Sequence, residues 1–399
     1  MSLSISAKCR NIAPSATFAM DAKAKELKAA RKNVVSFAAG EPDFDTPTHI
    51  RQAMKDAMDM GLTRYSPVGG TLEMKDAALL RLKEDHGLTY TRQEILISNG
   101  AKHSLYNAFQ ALLDPEDEVI IPAPCWVSYP EMVRMAGGVP VFVMGREENC
   151  FIPSIEEIAA KVSPKTKAFV LTSPNNPNGS VWGRDILEAL AALAVEKDFY
   201  LISDEIYEKL TYGVREHISV ASLGQKVKER TLVVNGVSKS YAMTGFRIGY
   251  AAGPREVIQA MTTYQSQATS APNTAAQHAA AAALTGDQAC VEEMRLAFQQ
   301  RRDRIVTLIN AIEGLSCTKP EGAFYVMLNL KGILGKKHQG VLIENSADFA
   351  DALLESKHTV VVPGNAFMAE GYCRLSYATS LAKIEEGLSR IAAFVKEMG

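Results

Sequence analysis

Seven short apolar runs, centred on Ile95, Val119, Val139, Phe169, Leu201, Val233 and Ile248, recur between Glu94 and Tyr250, separated mostly by stretches of helical length. Runs of this length, rich in β-branched and aromatic residues, read as strands buried on both faces. Strand, polar loop and helix in alternation predict an α/β chain: a mostly parallel seven-stranded sheet with helices on both faces.

In an open sheet of that kind the loops past the strand ends share one edge, and ligands bind there. Gly100, Trp126, Asn176, Asp204, Tyr207 and Lys239 all fall just past such ends. Each also has an ordinary reading. Gly100 opens a helix whose N-terminal N–H groups suit an anion, or is only a turn. Trp126, one of two tryptophans, stacks on a planar ring or packs under its loop. Asn176 donates to a bound ring or caps its own turn. Asp204 closes an apolar strand, where a carboxylate needs a cation beside it, either a ligand's or an arginine's.

Lys239 lies on the small-residue loop Gly236–Gly245 between two apolar runs, and Arg247 follows where the second run begins. Burial favours the neutral, nucleophilic form of an amine, which then forms an imine with an aldehyde. A guanidinium at the same mouth grips a phosphate bidentately. Together the two describe a pyridoxal phosphate site; apart, they read as a solvated lysine and a surface arginine.

The rest of the chain frames this edge. Helices are expected over Met20–Ala30 (started by Pro14-Ser15-Ala16-Thr17), His49–Met60, Glu73–Asp85, Leu105–Leu113, Thr274–Leu284 and Glu292–Ile312. Val34–Phe37 is a short strand ending at Gly40, which either lets a ligand approach the backbone or simply turns. Gly322–Met327, Val360–Gly364 and Cys373–Ala378 are strands of a smaller second domain. Arg374 in that last apolar run needs an anion, from the protein or from a substrate. Residues 1–47 are expected to form an N-terminal arm and part of the small domain, 48–290 the large domain, and 291–399 the small C-terminal domain.

With 399 residues, a net charge of −2 and 47% hydrophobic content, the chain has no electrostatic reason to bind nucleic acid or a membrane. Its six cysteines are scattered without a Cys-x-x-Cys pair, so neither a metal site nor a disulfide framework is expected. Met1–Arg10 lacks the apolar stretch of a signal peptide and no run is long enough to span a bilayer; a cytoplasmic location is expected.

Five ordered blocks, Ala39-Gly40-Glu41-Pro42-Asp43-Phe44, Ser173-Pro174-Asn175-Asn176-Pro177, Ser203-Asp204-Glu205-Ile206-Tyr207, Ser238-Lys239 with Arg247, and Arg374-Leu375-Ser376-Tyr377-Ala378, resemble the class I aminotransferases of fold type I, and most of all their bacterial aspartate-using branch. The resemblance implies pyridoxal 5′-phosphate held by Lys239 as an imine, with Asp204 at the ring nitrogen, Tyr207 and Asn176 at the phenolate oxygen and Trp126 stacked on the ring. It places Gly100, Ala101, Ser238 and Arg247 around the phosphate, with Tyr65 reaching in from a second subunit. Arg374 and Gly40 resemble the grip on the substrate α-carboxylate, to which Trp126 and Asn176 add contacts, and Lys102 stands near both the cofactor and the distal carboxylate.

Implied in turn are a homodimer with shared active sites and ping-pong transfer of an amino group from L-aspartate to 2-oxoglutarate. Aromatic, alanine or prephenate aminotransferases, and a pyridoxal phosphate-dependent lyase, are the alternatives. Two positions depart from the pattern: Asn178 where a threonine is usual, and Ala13 where prephenate-using relatives carry a basic residue. A regulator built on the same fold would need an attached DNA-binding helix pair, for which the N-terminal segment here is too short.

Overall fold

All seven apolar runs become strands in the computed structural model, which describes residues 5–10, 12–14, 16–213 and 215–399. Residues 1–4 of the N-terminal stretch, and Ser15 of the expected helix start, lie outside the described residues. In chain order, β1 is Val35–Ser36, β2 Ile95–Ser98, β3 Glu118–Ala123, β4 Val139–Met144, β5 Thr166–Thr172, β6 Tyr200–Asp204, β7 Thr231–Gly236 and β8 Gly249–Ala252. The later strands are β9 (Tyr325–Asn329), β10 (Lys337–His338), β11 (Val341–Leu342), β12 (Thr359–Val360), β13 (Val362–Pro363) and β14 (Tyr372–Ser376).

The main sheet has the order β2-β8-β7-β6-β5-β3-β4. Pairs from β4 through β7 are parallel, whereas β8 runs antiparallel to both β7 and β2. The C-terminal ends of six strands therefore meet the N-terminal end of β8 on one edge. Ile95, Ile97, Ile120, Phe169, Leu201 and Val233 are fully buried, and each such side chain contributes roughly 1.5–3 kcal/mol by leaving water. That burial on both faces explains why these strands show continuous apolar runs rather than alternation.

Helix boundaries shift by a few residues from expectation, for local reasons. The helix Ala101–Leu112 starts a turn earlier than Leu105 because Gly100, at φ +87°, turns the chain directly into it. In Leu72–His86 the Thr71 side chain accepts from Met74 N, and Gly87 ends the helix at φ +68°. The alanine-rich helix Thr274–Thr285 packs against Thr48–Asp59 and Leu72–His86, as small side chains permit. The expected helices over Met20–Ala30 and Glu292–Ile312 also form, as Ala16–Ala29 and Ala289–Asn310.

A second sheet, β13-β14-β9, is antiparallel. β1 pairs in parallel with β12, so the segment ahead of residue 48 joins the C-terminal part of the chain. Among the described residues no helix is long and apolar enough to cross a membrane.

Candidate active site

The shared strand edge opens into a cavity of about 580 Å³. Gly40, Ala101, Lys102, Trp126, Asn176, Asp204, Tyr207, Ser238, Lys239, Arg247 and Arg374 all line it. Asp204 and Arg374 end or lie in β6 and β14, and the others stand just past the ends of β1, β2, β3, β5, β6 and β7 or just before β8, which is why residues so far apart in sequence converge. Tyr65 does not line it; its side chain is 96% exposed on this chain's surface.

Lys239 sits on the loop joining β7 to β8, and its Nζ donates to Gly40 O at 2.5 Å. Burial pulls the amine down to about 8. Arg247 and Arg374 push the same way, while Glu41 and Asp204 oppose them. The loop thus holds an amine much closer to neutrality than a solvated lysine.

Asp204 ends β6 with 4% of its surface exposed. Burial raises its carboxyl to about 6, against hydrogen bonds from Tyr129 Oη at 2.6 Å and Ile206 N at 3.3 Å that favour the anion. Tyr207, two residues past Ile206's predecessor Glu205, lies with its hydroxyl 3.0 Å from that of Tyr325; burial pushes its phenol well above the ordinary value, so it stays protonated as a donor.

Arg374, on β14, is 1% exposed. Nη1 donates to Asn176 Oδ1 at 3.0 Å and Nη2 to Ala38 O at 2.9 Å, while the guanidinium lies over the rings of Tyr325 and Phe367 at 4.4 and 4.9 Å. Its Nε has no hydrogen-bond partner among the described residues, and no carboxylate of the protein neutralises it in these contacts. A buried cation so arranged fits a ligand's anion.

Arg247 takes φ +58°, and its Nη1 is held by Thr244 O at 2.7 Å. A Cβ built on Gly100 would come within 2.5 Å of Arg247 Nη2. One built on Gly249 would strike the Ala101 amide nitrogen. The guanidinium is therefore packed directly onto the bare start of the helix Ala101–Leu112, uniting a fixed cation with a helix N-terminus as an anion cradle. Lys102 Nζ lies 4.8 Å from the centre of the Trp126 ring, and burial followed by the nearby Arg247 lowers its amine.

These groups fit pyridoxal 5′-phosphate. There is a cradle of cationic and helix-dipole character for its phosphate, a buried carboxylate for its ring nitrogen, an activated amine for its aldehyde and an indole beside the cavity. Among the cavity residues that escaped the sequence reading are Tyr129, Tyr325 and Glu41. Tyr129 comes from the first turn of the helix Ser128–Met135, three positions past Trp126, and nothing in the local sequence marks it out from the helix's other apolar residues.

A model of the family described as aminotransferase class I and II matches residues 32–391. The chain is 48% identical to the aspartate aminotransferase of Bacillus subtilis over 97% of each chain. It is 46% identical to the aspartate/prephenate aminotransferase of Thermus thermophilus, covering 97% of this chain and 98% of that one. The solved aspartate aminotransferase of Rhizobium meliloti is similar over all of both chains, with a TM-score of 0.96 at 42% identity. By sequence, fold and a site fitted to pyridoxal 5′-phosphate, this chain belongs to the class I and II aminotransferases and uses that cofactor.

Proposed function

We propose that the protein transfers the amino group of L-aspartate to 2-oxoglutarate, in two half-reactions at one site. The observation that carries this is the convergence in one cavity of Lys239, Asp204 and the buried, carboxylate-free Arg374, with a second cation, Lys102, also lining it. An α-carboxylate and a distal carboxylate are what two separate cations recognise, and relatives named for aspartate point the same way.

In this reading Arg247, Ser238 and the helix start at Gly100 and Ala101 hold the cofactor phosphate. Asp204 would hold the ring nitrogen, Tyr207 and Asn176 would donate to the phenolate oxygen, and Trp126 would lie against the ring. When bound, pyridoxal phosphate supplies an electron sink for the pair left at the substrate Cα. Arg374 grips the α-carboxylate and, with Gly40 close by, sets which Cα bond faces Lys239. Lys239 Nζ would take the proton from the substrate Cα and hand it to the carbon of the cofactor's aldehyde, and in the second half-reaction would carry a proton the opposite way, to Cα. Lys102 selects the acidic side chain.

We further assign a homodimer in which Tyr65 serves the partner's site, a cytoplasmic location, and a division into residues 1–47 with 291–399 as small domain and arm and 48–290 as large domain. The test is a panel of acidic, aromatic and small amino donors against the cofactor's visible band, with prephenate added to the acceptors. Aspartate should shift the band, and Lys102→Ala should weaken acidic donors at least about tenfold more than aromatic ones. Equal losses would remove Lys102 from the specificity role, and a preference for aromatic or small donors would overturn the substrate assignment.

A further inference from the structure

Directly beside Asp204 in the chain, and outside the cavity lining, two histidines and two glutamates pack together, each with a side chain at most 9% exposed. Their ligand atoms, from His86, Glu205, Glu208 and His217, all lie within 4.8 Å of one another. They come from three separate segments. His86 is the last residue of the helix Leu72–His86, Glu205 and Glu208 follow β6, and His217 belongs to the segment leading to Ser219.

The polar bonding in this cluster is incomplete. His86 Nε2 lies 2.5 Å from Glu208 Oε2. His217 Nε2 lies 3.2 Å from Glu205 Oε2, but out of line for a hydrogen bond. Glu205 Oε2 and both ring nitrogens of His217 consequently have no hydrogen-bond partner among the described residues. The Glu205 side chain is fully buried and that of His217 is 5% exposed. Polar atoms this deep are nearly always satisfied; here Glu205 Oε2 and His217 Nε2 have only their 3.2 Å ion-pair contact, and His217 Nδ1 has no hydrogen bond among the described residues, which leaves the cluster short of a group the chain itself does not supply.

Glu205 is also held in place for such a group. Its Oε1 accepts from Ser203 Oγ and Ser219 Oγ, each at 2.8 Å, which fixes the carboxylate and leaves Oε2 aimed at His217. Hydrogen bonds of this kind orient ligands around metals. Two carboxylates with two neutral imidazoles balance one divalent charge. The mixture of nitrogen and oxygen donors, four in number, suits zinc, whose bonds of roughly 2.0–2.2 Å place tetrahedral ligands about 3.4 Å apart. Closing from the present spacing to that spacing is an adjustment of side chains.

We propose that His86, Glu205, Glu208 and His217 form a closed, structural site for a divalent cation of zinc type. The ion pins the end of one helix, the turn after β6 and the segment at His217 to each other, immediately next to the residues that face the cofactor. Four protein donors leave no open position, so the ion takes no part in the reaction. The sequence offered no hint, because the ligands lie in three segments with none of the spacings of zinc-binding motifs.

The test uses zinc alone on the intact holoenzyme. Chelator-treated wild type should take up about one zinc per chain, measured by elemental analysis, and its unfolding temperature should rise with added zinc. His217→Gln and His86→Gln should bind at least about tenfold more weakly in calorimetry and lose that rise. Cobalt added to the wild type should give the visible absorption of a four-coordinate ion, a readout that needs no variant to fold. Wild type that takes up neither zinc nor cobalt would overturn the proposal and leave two imidazolium–carboxylate pairs; equal uptake by wild type and both variants would also overturn it, assigning the metal to surface groups.

Discussion

Tyr129 donates its hydroxyl to Asp204 Oδ2 across 2.6 Å, with Thr172 Oγ1 2.7 Å away on the same hydroxyl. All three residues are buried, so water does not compete for this bond and it fixes how the carboxylate is presented to the cavity. Tyr129→Phe keeps the ring packed edge-on to Trp126 at 5.2 Å and removes only the donor. A hydrogen bond to a charged group is worth roughly 1.5–3 kcal/mol. Turnover should therefore fall at least about tenfold, with the KM for aspartate little changed and the cofactor retained. Steady-state kinetics decide it, and an unchanged kcat would remove Tyr129 from the positioning of Asp204.

Lys239 carries the chemistry that no neighbour can replace. Lys239→Ala should lower turnover by at least about 10³-fold and abolish covalent capture of the cofactor after borohydride reduction. The fold should survive, since the variant removes a buried amine whose hydrogen bond goes to a single carbonyl, Gly40 O. Peptide mapping after reduction checks the attachment point. Label retained at another lysine would show that the imine forms elsewhere.

The amine pulled down to about 8 makes a pH prediction for protein stripped of its cofactor. Only the neutral amine attacks an aldehyde, so the rate of cofactor capture should rise about tenfold per pH unit below that value and level off above it. Glu41 opposes the shift by favouring the cation. Glu41→Gln should accordingly move the midpoint to lower pH, so that capture at pH 7 becomes faster. Stopped-flow absorbance at the cofactor band measures both, and a midpoint near the ordinary 10.5 would refute the buried-amine argument.

The parts of the site that were legible in the sequence share one property. Gly100, Trp126, Asn176 and Lys239 follow strand ends and Asp204 closes one, and a parallel sheet converts that sequence position into a common edge in space. Arg247 was legible for the complementary reason: β8 is antiparallel, so its beginning lies where the other strands end. Tyr325 belongs to another sheet, and nothing local indicates that its hydroxyl approaches Tyr207. Glu41 sits inside a block that reads as a turn, and its influence on Lys239 arises from the approach of the β1 loop to the β7–β8 loop. Arg374 was readable as a cation in need of an anion, whereas its seat between Tyr325 and Phe367 depends on tertiary packing alone.

That seat makes a prediction of its own. The planar guanidinium of Arg374 stacks on two rings while reaching Asn176 and Ala38, a geometry that an ammonium does not reproduce. Arg374→Lys should therefore behave much like Arg374→Ala. Truncating one member of a buried charged contact costs roughly 2–5 kcal/mol, so kcat/KM for every amino donor should fall by about 10²–10³-fold, whatever its side chain. Comparable losses for aspartate and aromatic donors support a grip on the shared α-carboxylate, and a loss confined to acidic donors would reassign Arg374 to the side chain.

Gln265 shows how the anion cradle is kept rigid from below. Fully buried on the helix Arg255–Ala268, it accepts from Ser98 Oγ and Asn107 Nδ2, each at 2.9 Å, and donates to Val68 O and Ile97 O, each at 2.9 Å. One amide thus satisfies groups from the end of β2, from the helix that follows Gly100 and from the loop after Tyr65. Gln265→Leu conserves volume but strands these partners without water, at about 1–3 kcal/mol for each one left unpaired. Partial relaxation should limit the total to roughly 2–4 kcal/mol, read from the urea midpoint of the cofactor-free protein. Because Ser98 and Asn107 flank Gly100, affinity for the cofactor should fall as well, more than in a variant equally destabilised in the C-terminal sheet. Equal cofactor affinity in the two would mean that the cradle holds its shape without this amide.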